Sequence, residues 1–302
     1  MSTAGIQHEF AVDTPFGRLA GLRFGSPGAP RVLALHGWLD NAASFVPLAA
    51  HLGDIDLVAL DLPGHGASAH LPPAADYTTV ASARAGFAAA DALGWDRFQL
   101  LGHSLGGAIA SVMAAAMPQR IARLALVEAL GALAEVEART ATRLQDAFAA
   151  HSLRARGTLR VFADIATAVR ARMQANGLSQ AAARLLVERG IAPVPASDGR
   201  DSQQTGYVWR SDPRLTLPTA VRMSEPQVQD LVAAIACPVR VIYAQPAQWY
   251  FADELRQQRA AVLRDGQVIR IDGSHHLHME DPASVAAALD GFLSAGIESL
   301  TG

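Results

Sequence analysis

Lysine is absent from this chain, so all 25 of its basic side chains are arginine. With the abundance of alanine, that reads as a bias of genomic composition and assigns no function. Cysteine is almost absent as well. Cys237 stands alone, which excludes an internal disulfide framework. Neither sign of charge dominates: the formal net charge is −3, a slightly acidic balance that argues against a nucleic-acid surface. No apolar stretch is long and uninterrupted enough to span a bilayer, although the Ala-rich helices come closest. Met1 to Phe10 lacks the basic start and apolar run of a signal peptide, so the expected location is cytoplasmic.

What is present is an apolar half: 50% of 302 residues are hydrophobic, enough for one large core plus an insertion or for two small domains. Ile6 to Val12 and Leu19 to Phe24, joined by Thr14-Pro15-Phe16-Gly17, read as an opening antiparallel pair. Gly25 to Pro30 is a loop by composition. Short apolar runs too brief for helices follow at Val32 to Leu35, Leu57 to Leu60, Phe98 to Leu101, Leu124 to Val127, Val239 to Tyr243 and Val268 to Ile271. Helical periodicity separates them, near residues 43–51, 79–93, 105–117, 227–235, 252–263 and 283–293. Strands alternating with helices predict an α/β architecture, a mostly parallel, doubly wound sheet.

The alternation breaks from about Leu130 to Glu225, where no buried strand is expected. Helical segments near Glu135 to His151, Leu159 to Asn176 and Ser179 to Arg189 give way to a Pro- and Gly-rich stretch ending at Pro226. The predicted organisation is a core of residues 1–129 and 227–302 with a helical cap at 130–226. Residues 129–226 hold 13 Arg against 9 acidic residues. A solvated Arg-rich helix surface is the simplest account, and a lid favouring anionic substrates is the alternative.

In a doubly wound sheet the chemistry sits at the carboxyl ends of the strands. His36, Asp61, Ser104 and Glu128 all fall at such ends. Ser104 lies in Gly102-His103-Ser104-Leu105-Gly106-Gly107, between the run Phe98 to Leu101 and a helix that Pro118 ends. A serine in that strand-to-helix turn is pushed out over the sheet edge, and the sharp turn leaves no room for side chains two residues either side, hence Gly102 and Gly106. The scattered His and acidic residues show no paired spacing suited to metal ligands, and the glycine loop lacks the Lys-Ser/Thr of a phosphate-binding loop. No metal or cofactor is expected.

His36-Gly37, Asp61-Leu62-Pro63-Gly64-His65-Gly66-x-Ser68, Gly102-His103-Ser104-Leu105-Gly106-Gly107 and His275…Glu280-Asp281-Pro282 together resemble the α/β-hydrolase superfamily. Within it, His36-Gly37-Trp38-Leu39-Asp40-Asn41-Ala42-Ala43-Ser44-Phe45 and Tyr207-Val208-Trp209-Arg210-Ser211-Asp212-Pro213-Arg214-Leu215 resemble the serine hydrolase-like proteins. The resemblance implies an α/β-hydrolase fold with an eight-stranded sheet and an inserted cap. It also implies Ser104 as nucleophile and His275 as base, with Ser274 where the family has Gly; His276 is the alternative base, and His278 packs locally.

The family's acid usually follows the strand Val239 to Tyr243, but Ala244-Gln245-Pro246-Ala247-Gln248-Trp249 holds no carboxylate. Glu128 occupies the alternative acid position of haloalkane dehalogenase relatives; a helix-capping or salt-bridged glutamate is the structural alternative, and Asp253 and Glu254 are in reserve. The resemblance implies an oxyanion hole from the backbone N–H groups of Trp38 and Leu105, structural roles for Asp61 and His65, and a substrate pocket including His36, Asp40, Asn41 and His103. His36 and His103 are equally consistent with packing.

The expected activity is hydrolysis of a small or medium carboxylic ester through an acyl-enzyme, without cofactor. Thioesters and lactones are the neighbouring substrates, and a homodimer is left open. The empty acid position favours a rival, a ligand-binding, receptor-like member of the fold with little turnover.

Overall fold

A computed structural model describes residues 8–154, 160–194 and 206–296. Its strands are β1 (His8–Thr14), β2 (Gly17–Gly25), β3 (Arg31–Leu35), β4 (Asp56–Leu60), β5 (Phe98–His103), β6 (Ile121–Val127), β7 (Ile191–Pro193), β8 (Tyr207–Trp209), β9 (Val239–Gln245) and β10 (Gly266–Asp272). Eight form one sheet in the order β1-β2-β4-β3-β5-β6-β9-β10. β2 runs antiparallel to both β1 and β4, and every other pairing in the sheet is parallel. The hairpin closes with Thr14 opposite Gly17, whose φ of +89° is a conformation that glycine adopts without steric cost.

The short apolar runs are strands because both faces of the sheet are covered. Leu33, Leu35, Val58, Leu60, Leu100, Leu124, Leu126 and Val241 point to one face. There they meet α2 (Thr79–Ala92), α3 (Leu105–Ala116) and α7 (Glu225–Ala233). Their neighbours Val32, Ala34, Leu57, Ala59, Leu101, Ala125, Val127 and Ile242 point to the other, against α1 (Val46–Ala49) and α10 (Pro282–Leu289). Alternation at period two thus fills two core layers from one set of strands.

Several expected bounds move. The helix expected over 43–51 is a 3₁₀ turn, Ala42–Phe45, followed by the single turn of α1, with Asn41 capping the first. The last helix stops at Leu289 because Asp290 turns left-handed at φ +40°. α8 spans Asp253–Ala260, and the histidine loop contains one helical turn of its own, α9 (Leu277–Glu280).

Between β6 and β9 the chain forms α4 (Thr140–Arg154), α5 (Ile165–Asn176) and α6 (Gln180–Gly190). Two expectations are corrected here. β7 and β8 pair as an antiparallel ribbon, extended by a bridge from Phe162 to Tyr207. Phe162 is held in that bridge and the turn before Asp164 is not helical, so α5 starts after Asp164, whose carboxylate accepts from Thr167 N–H at 2.7 Å; Leu159, the expected start, lies outside the described residues. The middle of the Pro- and Gly-rich stretch, 195–205, lies outside the described residues, as does Ile6. α7 opens at Glu225, two residues before the expected boundary, on a Ser224–Gln227 capping box.

The inserted segment closes on the loops at the ends of β3 and β4. Asn41 Nδ2 donates to Leu186 O at 2.8 Å, Arg189 Nη2 pairs with buried Asp61 at 2.7 Å, and Arg172 pairs with Asp40. Arg214 donates to the carbonyls of Leu71, Pro72, Pro73 and Ala75 while pairing with Asp212. The arginine-rich composition of this segment therefore includes cations that fasten it to the loops beside the eight-stranded sheet.

Candidate active site

Ser104 sits at φ +51°, ψ −115°, a strained backbone for a residue with a side chain. The surroundings impose it. A Cβ on Gly106 would come 1.9 Å from Leu35 O, and one on Gly102 would come 2.5 Å from Gly107 Cα, so helix α3 packs onto β3 and β5 without side chains between. Ser104 N–H donates to Val127 O at 3.0 Å, tying the turn to the end of β6. Leu105 is the first residue of α3, so its N–H has no intrahelical acceptor.

The residue after Val127 is Glu128, with a second positive φ of +57°. Its N–H donates to Ile242 O at 2.9 Å, so the turn that ends β6 is fixed by β9. The side chain is buried and its carboxylate fully engaged. Oε1 accepts from Ala244 N at 2.6 Å; Oε2 lies 3.2 Å from His275 Nδ1. Arg256 Nη2, from α8, lies 3.2 Å from Oε1 and 3.3 Å from Oε2. Arg256 also donates to Ala244 O at 2.9 Å and rests 4.4 Å above the Tyr243 ring. Glu128 therefore pairs with the imidazole and is salt-bridged at once. The salt-bridged glutamate of the structural alternative is present, and the same carboxylate stands beside the imidazole.

Arg256 is the residue that sequence reasoning missed. Asp253 and Glu254, the reserve acids, lie in the first turn of α8, Glu254 exposed; the helix instead turns Arg256 and Arg259 inward. Their spacing of three places both on one face, the one signal that was available.

β10 leads into the histidine loop. His275 uses Nδ1 toward Glu128, which leaves Nε2 as the nitrogen available to a hydroxyl. Tyr250 OH lies 3.4 Å from the same Nδ1, and burial, with the negative charge of Glu128, pushes its phenol pKa up. The next residue turns elsewhere: His276 Nε2 lies 3.3 Å from Asp40 Oδ2. His278 is buried, its ring against Phe45 and 4.0 Å from His103, and burial drives its pKa down to about 3.

The other expected residues separate into structural and pocket positions. His36 is wholly buried, with Nε2 accepting from Leu62 N at 3.0 Å and Nδ1 at 2.8 Å from Gly37 O. Burial lowers its pKa, and that of His65 to about 3. Asp61 accepts from the N–H groups of Ala42 and Ala67 and binds Arg189, as a loop-fastening residue should. Asp40 and Asn41 line a small polar cleft with Arg172, Gly190 and Trp209; neither Ser104 nor His275 lines it. The Trp38 side chain is 53% exposed and donates Nε1–H to Leu215 O at 2.8 Å, linking the loop after β3 to the inserted segment.

His103 lies beneath. It donates Nε2–H to His275 O at 2.9 Å, and burial holds its pKa well below the usual imidazole value. Asp40 Oδ2 stands 3.7 Å from His103 Nδ1, while Oδ1 takes Arg172. Burial works against charge on Asp40, but His276, Arg172 and His103 outweigh it and hold the carboxyl below its ordinary range. Asp40 and His276 from two loops and His103 from the end of β5, without any sequence spacing to announce them, form one buried polar cluster.

Comparison with known proteins agrees with this architecture. The model of the alpha/beta hydrolase fold family matches residues 30–282. A serine hydrolase-like protein of Dictyostelium discoideum is 31% identical over 84% of this chain and 72% of its own. A hypothetical protein of Pseudomonas aeruginosa PAO1 has a solved structure with a TM-score of 0.86 and 37% identity, covering 94% of this chain and 98% of that one. The thioesterase domain from the curacin biosynthetic pathway shares the fold, with a TM-score of 0.79 at 24% identity over 93% of this chain and 98% of its own. The chain belongs to the α/β-hydrolase family and, within it, to the serine hydrolase-like proteins.

Proposed function

We propose that this hydrolase cleaves a carboxylic ester of small or medium size through an acyl-enzyme, with Ser104, His275 and Glu128 as its catalytic residues. The observation that carries the reading is the 3.2 Å approach of Glu128 Oε2 to His275 Nδ1, between residues 147 apart in sequence. A carboxylate there holds the proton on Nδ1 and stabilises the imidazolium, which turns Nε2 toward proton transfer.

Ser104 Oγ attacks the ester carbonyl carbon as His275 Nε2 takes its proton. The oxyanion is received by the N–H groups of Leu105 and Trp38, donors of a kind typically worth about 10² to 10³ in rate each. Collapse breaks the bond to the alkoxide, which leaves with the proton from His275. Water then repeats the cycle on the acyl-Ser104, and the acid departs. The segment 130–226 acts as a lid bounding the acyl and alcohol pockets. A serine nucleophile disfavours alkyl-enzyme chemistry, which requires a carboxylate in that place.

A second reading is a ligand-binding protein with little turnover. It is favoured by Arg256, which shares the carboxylate that His275 needs. A fluorophosphonate probe separates the two. Covalent labelling that disappears in Ser104→Ala, with turnover of p-nitrophenyl esters of graded chain length, supports the hydrolase. Ligand binding without labelling supports the receptor. Parallel thioester and lactone panels identify the acyl substrate class.

A further inference from the structure

The cluster of Asp40, His103 and His276 does not belong to the Glu128–His275 pair, and its hydrogen bonding is incomplete. His103 Nε2 faces the carbonyl oxygen of His275 at 2.9 Å, an atom that can only accept, so Nε2 holds the ring proton. Nδ1 of the neutral ring is then a lone pair. It points at no donor among the described residues; its near neighbour is Asp40 Oδ2, another acceptor, at 3.7 Å. Asp40 Oδ2 has His276 Nε2 at 3.3 Å, and His276 Nδ1 has no hydrogen-bond partner among the described residues. Two buried lone pairs that face each other repel unless something electropositive stands between them.

We infer that Asp40 Oδ2, His103 Nδ1 and His276 Nε2 form a binding site for a divalent transition-metal ion of the zinc class. These three atoms all lie within 4.8 Å of one another, and Asp40 Oδ2 is 3.3 Å from His276 Nε2. Ligand bonds of about 2.0–2.1 Å in tetrahedral geometry place ligand atoms roughly 3.3 Å apart. Closure of this set therefore requires small side-chain shifts.

Two of the three ligand groups, His103 and Asp40, have the outer partners of a metal site; His276 Nδ1 has none among the described residues. A ligating imidazole usually donates its other N–H to a carbonyl or carboxylate, as His103 does to His275 O. A ligating carboxylate is itself hydrogen-bonded, as Asp40 is through Oδ1 to Arg172. Gly37 keeps the approach open: a Cβ there would come 2.9 Å from His103 Nδ1 and 3.0 Å from Asp40 Oδ2. Two imidazoles and one carboxylate select zinc, copper or nickel over magnesium, which prefers oxygen. Because His276 follows His275 and His103 holds the His275 carbonyl, the ion would sit one residue from the proposed base. The site itself requires no hydrolysis.

The test uses the full chain, stripped with a chelator, dialysed and titrated with ZnCl₂ by calorimetry. Replacement by Co²⁺ reports the ligand field in the visible spectrum independently of turnover. One equivalent of Zn²⁺ is expected to bind, with affinity at least about tenfold weaker in both His276→Gln and Asp40→Asn, unchanged in the distant His70→Gln, and with no competition from Mg²⁺. Thermal melting of each variant confirms that it is folded. If either variant is unfolded, the Co²⁺ spectrum of the unaltered protein decides, a tetrahedral signature supporting the site. No stoichiometric binding, an octahedral all-oxygen spectrum, or undiminished binding in either folded variant overturns it, a water molecule then being the occupant.

Discussion

Arg256 sets its Nη2 3.2 and 3.3 Å from the two carboxylate oxygens of Glu128, whose Oε2 also meets His275 Nδ1 at 3.2 Å. One buried carboxylate thus serves a guanidinium, an imidazole and the Ala244 amide. A buried charge so placed requires its partners. Removal of one partner of a buried ion pair costs about 3–5 kcal/mol, because the other charge remains behind in the interior. Arg256→Ala is expected to lower the urea-unfolding free energy by that amount and to leave the exposed-surface control Arg31→Ala near zero. A loss under about 1 kcal/mol would show that the pair contributes no more than a surface bridge.

Glu128→Gln keeps an oxygen for the Ala244 amide but removes the charge beside His275 Nδ1 that the proposed mechanism uses. Turnover of a p-nitrophenyl ester is expected to fall by about 10² to 10⁴ in kcat, with KM little changed. Steady-state kinetics on a variant with an unaltered circular-dichroism spectrum reads this directly. Activity within a few fold of the parent would place the acid elsewhere or make it unnecessary.

The placing of Ser104, Glu128 and His275 beyond strand ends was legible because each follows a short apolar run, and a strand end in a parallel sheet is a fixed address. The glycines around Ser104 add a steric signature that few other turns require. β7 and β8 were not legible: Ile191-Ala192-Pro193 and Tyr207-Val208-Trp209 are too short to show a period, and their pairing is set by Phe162 and the helices beneath. Arg256 was hidden for another reason. Asp-Glu-Leu-Arg-Gln-Gln-Arg reads as a solvated helix face, and it is Glu128 and Glu225, with the carbonyls of Ala244 and Leu130, all outside the helix, that make burial of its arginines favourable. The meeting of Asp40, His103 and His276 is likewise a product of two loops and the end of β5, and of no local spacing.

Gly106 tests the packing that presents Ser104. An alanine there brings Cβ within 1.9 Å of Leu35 O and 2.3 Å of Leu35 C, both backbone atoms of the central strand β3, so relief requires α3 or β3 to move. Gly106→Ala is expected to destabilise the protein by about 3 kcal/mol or more and to abolish fluorophosphonate labelling of Ser104. Gly296→Ala, where nothing lies within 4 Å, stays within about 0.5 kcal/mol of the parent. Denaturant midpoints for the two variants separate close packing from a general cost of adding a methyl group.

His65 predicts how stability depends on pH. Burial lowers its pKa from 6.5 to about 3, with the nearby His36 ring, 4.9 Å away, working in the same direction. The unfolded chain therefore binds a proton that the folded chain refuses. Its contribution is complete above pH 6.5 and is lost as pH falls from 6.5 toward 3, with a slope of about 1.4 kcal/mol per pH unit. His65→Gln removes that titration while keeping an acceptor for the Leu39 amide and a donor for Pro63 O. Urea unfolding from about pH 7 down to about pH 4 should show the parent losing stability more steeply than His65→Gln by that slope. Parallel curves would mean that His65 takes up its proton without opening the loop it fastens.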